Sequence, residues 1–337
     1  MVAKEEVTIS EAEAALYDRQ IRLWGLEAQK RLRAARVLLI GLGGLGAEIA
    51  KNLTLSGIKS LTLLDDRVAV ANSANFLVPI ENVGKNVVEA SLERVQRLNP
   101  MVEILTDTEN ITAKNEDFFG GFDVVCATRL PVEESIRIND ICRKHSIPFY
   151  SGDVFGFGGF FFVDLLEHEY SEEVTVPAAT CKDGCKPKKN DPSETKTVKH
   201  VLNYIPLQAA FEADPSSQLN KRSWQRIKSH FITMKSLLMF RSQMKRDPEA
   251  ANRQSDIAKL CEIRDHILHE MKLDNQMVDS GIFETVFGEL SPAAAVVGGV
   301  LAQEIIKAVS HKDAPIRNHF FFNGATDFSG VVEAIGF

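Results

Sequence analysis

No run of apolar residues in this chain approaches the roughly 18 that a membrane span needs, so no membrane partner is expected. Met1 to Ser10 is charged and lacks the apolar stretch of a secretory leader; the expectation is an intracellular protein. Positive charge is not in excess. Lys and Arg total 39 against 46 Asp and Glu, a net charge of −7, which disfavours a general surface for anionic nucleic acid and leaves room for partners with basic patches. Cysteine is scarce and odd in number, at five, so the chain offers no disulfide framework. Cys126, Cys142 and Cys261 sit in apolar patterns and are expected to pack as small hydrophobes. Cys181 and Cys185 have no second pair to complete a zinc site and read as part of a solvated loop; no metal centre is expected. No internal repeat of short fixed period is visible.

What remains is ordinary globular composition, 45% hydrophobic and 25% charged, in 337 residues. That length suits one large domain, or a domain with an insertion. The most informative segment is Gly41-Leu42-Gly43-Gly44-Leu45-Gly46. It follows the apolar run Val37 to Ile40 and opens a helical pattern from Ala47 to Ser56, the strand–turn–helix context of a phosphate-binding loop. Gly41 permits the tight turn, Gly43 lets backbone N–H groups approach a phosphate, and Gly46 lets the helix close on the sheet. Asp65 and Asp66 end the next apolar run, about 20 residues on, where a ribose-binding acid belongs.

Ser10 and Glu13 form a capping box ahead of a helix expected over 11–24, with Leu16, Tyr17, Ile21, Leu23 and Trp24 as its apolar surface. Strands are expected at 36–40, 60–65, 102–106, 122–127 and 147–151, alternating with helices at 45–56, 83–98 and 132–145. The alternation argues for an α/β fold, a doubly wound, Rossmann-like, mainly parallel sheet. From Gly152 the chain turns glycine- and aromatic-rich, consistent with an antiparallel extension. Residues 205–275 show helical spacing, as in Trp224, Ile227, Phe231 and Met234. A final helix over 293–309 contains Gly298 and Gly299, which close backbone packing should compensate. The expected organisation is N-terminal helices at 1–35, a core at 36–169, a mostly helical insertion at 170–284 with a mobile loop at 182–197, and a return to the core at 285–337.

Three segments go beyond a generic nucleotide fold: Tyr17-Asp18-Arg19-Gln20-Ile21-Arg22-Leu23-Trp24-Gly25, then Arg36 to Leu53 around the glycine loop, then Pro292 to Lys307. In this order they resemble the adenylating family of ubiquitin-like-protein-activating enzymes and their bacterial sulfur-carrier relatives. The resemblance implies Mg-ATP-dependent adenylation of a modifier's C-terminal glycine and, in eukaryotic members, transfer to a cysteine as a thioester. Yet the chain departs from the pattern. The family's second ribose acid is Arg67 here; no Arg stands between Asn72 and Phe76; Val87 replaces an expected Lys; and the magnesium-binding Asp falls near Leu130. Thr180-Cys181 has no neighbouring chemistry to make a nucleophile. The resemblance therefore points to a regulatory subunit that does not adenylate. Its length, its opening segment and Gly152 to Gly156 resemble the small subunits of SUMO-activating heterodimers.

On that resemblance, Gly41, Gly43, Gly46 and Asp65 form a vestigial site and this chain holds no cofactor. Mg-ATP is held by a catalytic partner subunit, and Arg19 is inserted in trans at the partner's ATP phosphates. SUMO and its conjugating enzyme are reached through the complex. The expected location is the nucleus, with the cytoplasm second; Lys186-Pro187-Lys188-Lys189 is a weak import signal. The alternatives are an autonomous adenylating homodimer of the sulfur-carrier type and, more remotely, an NAD-dependent dehydrogenase, which the loop and Asp65 permit.

Overall fold

A computed structural model describes residues 9–71, 73–176, 194–325 and 329–337. Three short helices open it: α1 (Glu11–Leu16), α2 (Asp18–Trp24) and α3 (Leu26–Ala34). The Ser10–Glu13 capping box forms, but the single helix expected over 11–24 is broken at Tyr17. Tyr17 is buried, with its ring over Gly57, where a Cβ would come within 2.5 Å of it, and its hydroxyl accepts from Asn99 Nδ2 at 2.8 Å. Burying one large ring fixes the break; of the apolar residues expected on this segment Tyr17 is buried, whereas Leu16 and Leu23 stay exposed.

The core follows as β1 (Arg36–Ile40), α4 (Gly44–Ser56), β2 (Ser60–Leu64), α5 (Val87–Leu98), β3 (Glu103–Asp107), α6 (Glu116–Phe119), β4 (Val124–Thr128), α7 (Val132–Lys144), β5 (Phe149–Phe155) and β6 (Gly158–Asp164). The chain continues through β7 (Glu167–Val176), β8 (Glu194–Asn203), α8 (Leu207–Glu212), α9 (Pro215–Gln218), α10 (Lys221–Met244), α11 (Arg253–Glu270), α12 (Ser291–Ser310), β9 (His319–Asn323) and β10 (Ser329–Glu333). One eight-stranded sheet has the order β10-β9-β6-β5-β4-β1-β2-β3. Strands β3, β2, β1, β4 and β5 run parallel; β6, β9 and β10 extend it antiparallel.

The period of two explains how the sheet is buried on both faces. Leu39 and Cys126 join one core with α4 and α12, whereas Leu38, Val125 and Ala127 join another with α7. The antiparallel end is covered by α10 and α11, whose Ile227, Phe231 and Ile263 pack near Phe160 and Phe321. Burial pushes the Cys142 thiol up to about 12 and raises that of Cys126 further, so both act as hydrophobes.

Several expectations need correction. The insertion is mostly helical between α8 and α11, but a ten-residue antiparallel ladder that the sequence did not announce, Glu167↔Asn203 to Val176↔Glu194, precedes those helices. Residues 194–197, expected in a mobile loop, lie in β8; the rest of that loop, with Cys181, Cys185 and Lys186 to Lys189, lies outside the described residues, as does Asn72. Cys261 is only half-buried. Although Gln303, Glu304 and Lys307 interrupt it, α12 has the length and, in an 18-residue window, the mean hydropathy, 1.5, of a membrane span, but 61% of that window is buried inside this fold. Gly298 is needed for close packing, since a Cβ there would meet Glu48 Cβ at 2.7 Å; Gly299 has open space and no such reason.

Candidate functional site

The glycine loop joins the carboxyl end of β1 to α4, as the sequence requires of a nucleotide fold. Gly41 has φ +87°, and a Cβ there would sit 2.4 Å from the Thr128 carbonyl oxygen. The Thr128 hydroxyl donates to the Gly41 carbonyl at 2.9 Å, tying the turn to β4. A Cβ on Gly46 would lie 2.1 Å from the Gly41 carbonyl oxygen, a backbone atom with no room to retreat. Gly46→Ala is therefore expected to destabilise the chain by at least about 1–3 kcal/mol, the usual cost of overpacking. The midpoint of urea unfolding measures it, and an unchanged midpoint would contradict the packing described.

Gly43 does make room for an anion, but not for a phosphate. Glu289 has entered from the segment before α12. The Gly44 N–H donates to Glu289 Oε2 at 2.9 Å, and the Leu45 N–H reaches Oε1 at 3.5 Å. A Cβ on Gly43 would be 2.7 Å from Glu289 Oε2. A carboxylate thus sits at the positive end of α4, where a phosphate sits in such folds.

Asp65 is likewise engaged. It accepts the Leu42 N–H at 2.7 Å and pairs with Arg67 Nη2 at 2.6 Å. Burial raises its pKa, but the Arg67 hydrogen bond and charge, with the two backbone N–H donors, outweigh that and hold it below the usual carboxylate range. The expected ribose acid is in place, but the arginine standing where a second acid was expected has taken its free oxygens.

Beside the loop lies a cavity of about 400 Å³. Its charged lining is Arg129, Arg241, Asp153, Asp247, Glu249 and Glu289, four carboxylates facing two guanidinium groups. Arg129 pairs with Asp247 at 2.6 Å and with Glu289 at 3.5 Å; Arg241 pairs with Asp153 at 2.5 Å and Asp247 at 2.6 Å. Asp247 is also desolvated, yet these two arginines hold it at about 2. At Asp153 burial wins and the pKa is raised.

The residues do not fit Mg-ATP. Every guanidinium at the cavity already has carboxylate partners, the excess charge is negative, and Thr128 to Pro131, where the magnesium-binding acid was expected near Leu130, contains no acid. Val87 is buried at the start of α5, and Lys85 donates instead to Asn82 at 2.8 Å. Among the described residues no group of three or more His, Cys, Asp or Glu is arranged to hold a metal.

The structure thus brings Gly41, Gly43, Gly46 and Asp65 together and leaves Arg19 elsewhere. Sequence reasoning missed Glu289, Arg129, Arg241, Asp153 and Asp247. Glu289 lies three residues before the Pro292 segment and Asp153 inside the Gly152 to Gly156 segment, but nothing in either run announces that they converge on the loop.

Arg19 is on the exposed side of α2, and its side chain forms no hydrogen bond or ion pair among the described residues. The acids that could take it are committed: Asp18 pairs with Arg22 at 3.0 Å and Glu13 with Arg33 at 2.7 Å. The helix itself is firmly held. Tyr17 is buried, Gln20 Nε2 donates to the Leu55 carbonyl at 3.0 Å, and Trp24 Nε1 donates to Gln29 Oε1 at 3.0 Å. Exposed Leu16, Leu23 and Leu26 accompany it.

Comparison with known proteins shows which family the chain resembles along its length. The profile of the ThiF family matches residues 17–334. SUMO-activating enzyme subunit 1 of Xenopus laevis is 48% identical over 343 residues, covering 100% of this chain and 99% of that protein. The human protein of that name is 47% identical over 345 residues with the same coverage, and that of Danio rerio 46% over 340 residues, covering 98% and 97%. With a family match from Tyr17 to near the C-terminus and relatives near half identity along the whole chain, this protein belongs to the ThiF family, alongside the SUMO-activating enzyme subunit 1 proteins.

Proposed function

We propose that this chain is the non-catalytic subunit of a heterodimeric SUMO-activating enzyme. The carrying observation is Arg19: a fixed-charge side chain, exposed and without an intrachain partner among the described residues, on a helix anchored by Tyr17. A guanidinium held out in this way suits phosphate oxygens, which its planar fork can bind in pairs. The partner subunit holds Mg-ATP, and Arg19 enters its site in trans. There the SUMO C-terminal glycine is adenylated and then passed to a cysteine of the partner; the conjugating enzyme is met through the complex. The exposed Leu16, Leu23 and Leu26 give that partner an apolar surface next to Arg19.

The engaged glycine loop and the acidic cavity support this reading over an autonomous adenylating homodimer, which would need an open phosphate site of its own in each chain. The test is SUMO-driven exchange of labelled pyrophosphate into ATP. The isolated chain is expected to be silent and the pair active; exchange by the isolated chain would sink the proposal. On this reading the chain works in the nucleus, with a cytoplasmic fraction second. Imaging of a fluorescently tagged chain checks that, and complete exclusion from the nucleus would count against it.

A further inference from the structure

We propose that the Glu289 carboxylate is a resident ligand of the Gly41–Gly46 loop, a built-in substitute for phosphate that keeps nucleotide out of this chain. The inference rests on the reading above, in which this chain's own pocket does not adenylate, and adds what closes it.

The loop itself has not decayed. Its turn, its glycines and the following 13-residue helix are intact, so the N–H groups that would cradle a phosphate still point into the site. What has changed is their occupant. Glu289 comes from 245 residues away in the chain to accept the Gly44 N–H, and its side chain is 9% exposed. Its backbone is held in position: Gly288 has φ +73°, its carbonyl accepts the Gly156 N–H at 2.6 Å, and Gly156 forms a parallel bridge to Glu289. A side chain delivered by so constrained a backbone is pre-organised for the loop.

The pairing of charges argues the same way. Arg129 stands 3.5 Å from Glu289 but 2.6 Å from Asp247, so the shortest contact Glu289 makes in this site is with the loop amide rather than with the nearby guanidinium. Arg67 performs the matching act at the other end, filling the acid that a ribose would use. An incoming phosphate would have to displace Glu289 and then share the cavity with it and three other carboxylates.

The experiment titrates magnesium-free pyrophosphate into the isotopically labelled full chain and follows the Gly44 and Leu45 amide resonances. In the wild type they are expected not to move. In Glu289→Ala both should move saturably, at pyrophosphate concentrations at least about tenfold below the highest that leaves the wild type unmoved, the scale of removing a charged competitor. Glu289→Gln, which keeps the shape and loses the charge, should fall between them and guards against a folding defect in the alanine variant. Saturable movement in the wild type, or no response from Glu289→Gln and Glu289→Ala with native spectra, would overturn the proposal. Neither outcome bears on exchange by the assembled pair, so failure here is distinguishable from failure of the proposed function.

Discussion

In the assembled pair, Arg19→Ala is expected to slow SUMO-driven ATP–pyrophosphate exchange by about 10²–10³-fold, the loss usual for one pre-organised electrostatic donor, roughly 2.7–4 kcal/mol of barrier. The size follows from where the charge would act. In a water-poor phosphate site a fixed guanidinium needs no reorganisation as charge develops. Arg19→Lys keeps the charge but loses the planar fork, so it should retain only part of the rate. The measurement separates catalysis from folding because the Arg19 side chain has no hydrogen bond or ion pair to lose among the described residues. The variant's melting temperature should match the wild type while exchange falls. Exchange within about twofold of wild type would remove Arg19 from the partner's site, since a donor of this kind costs far more.

The second large effect concerns stability. Arg241→Leu should cost about 3–5 kcal/mol, the penalty for breaking a buried ion network and leaving charge uncompensated. Arg241 is the hub: it reaches Asp153 on β5, Asp247 beyond α10, and the Leu130 carbonyl at 3.1 Å. Removing it strands Asp153, whose side chain is 7% exposed, and leaves Asp247 to Arg129 alone. Urea unfolding of the full chain reports the loss. Arg36→Ala is the contrasting control. Its pair with Asp123 is 43% and 45% exposed, so water screens it and no more than about 1 kcal/mol is at stake. Equal losses for the two variants would show that the cavity network carries no special weight.

The fold was largely legible because its signals are local. Val37 to Ile40, the glycine loop and the helix after it are consecutive in the chain, and alternation of strand and helix patterns restricts the sheet to a doubly wound form. The break at Tyr17 was not legible. Residues 11–24 satisfy a helical pattern throughout, and only the cleft at Gly57 and the Asn99 side chain make it better to bury Tyr17 than to continue. The hairpin of β7 and β8 was hidden for a similar reason. Its residues are mostly polar, and the ladder, not an apolar pattern, defines it.

The site divides along the same line. The sequence by itself determined that a phosphate-type loop is present, that Asp65 follows it, that Arg67, Val87 and Leu130 stand where the family resemblance expects other groups, and that Arg19 lies in an N-terminal helical segment. Those are identities and spacings, and they survive without coordinates. Only the tertiary structure decided what became of the loop. Glu289 lies 245 residues from Gly44, and Arg129, Asp153 and the pair Arg241 and Asp247 come from three separate stretches of chain. Hydrogen bonds and ion pairs act over a few ångströms of space, not along the sequence, so whether the loop's N–H groups are open or filled is settled only when the chain folds.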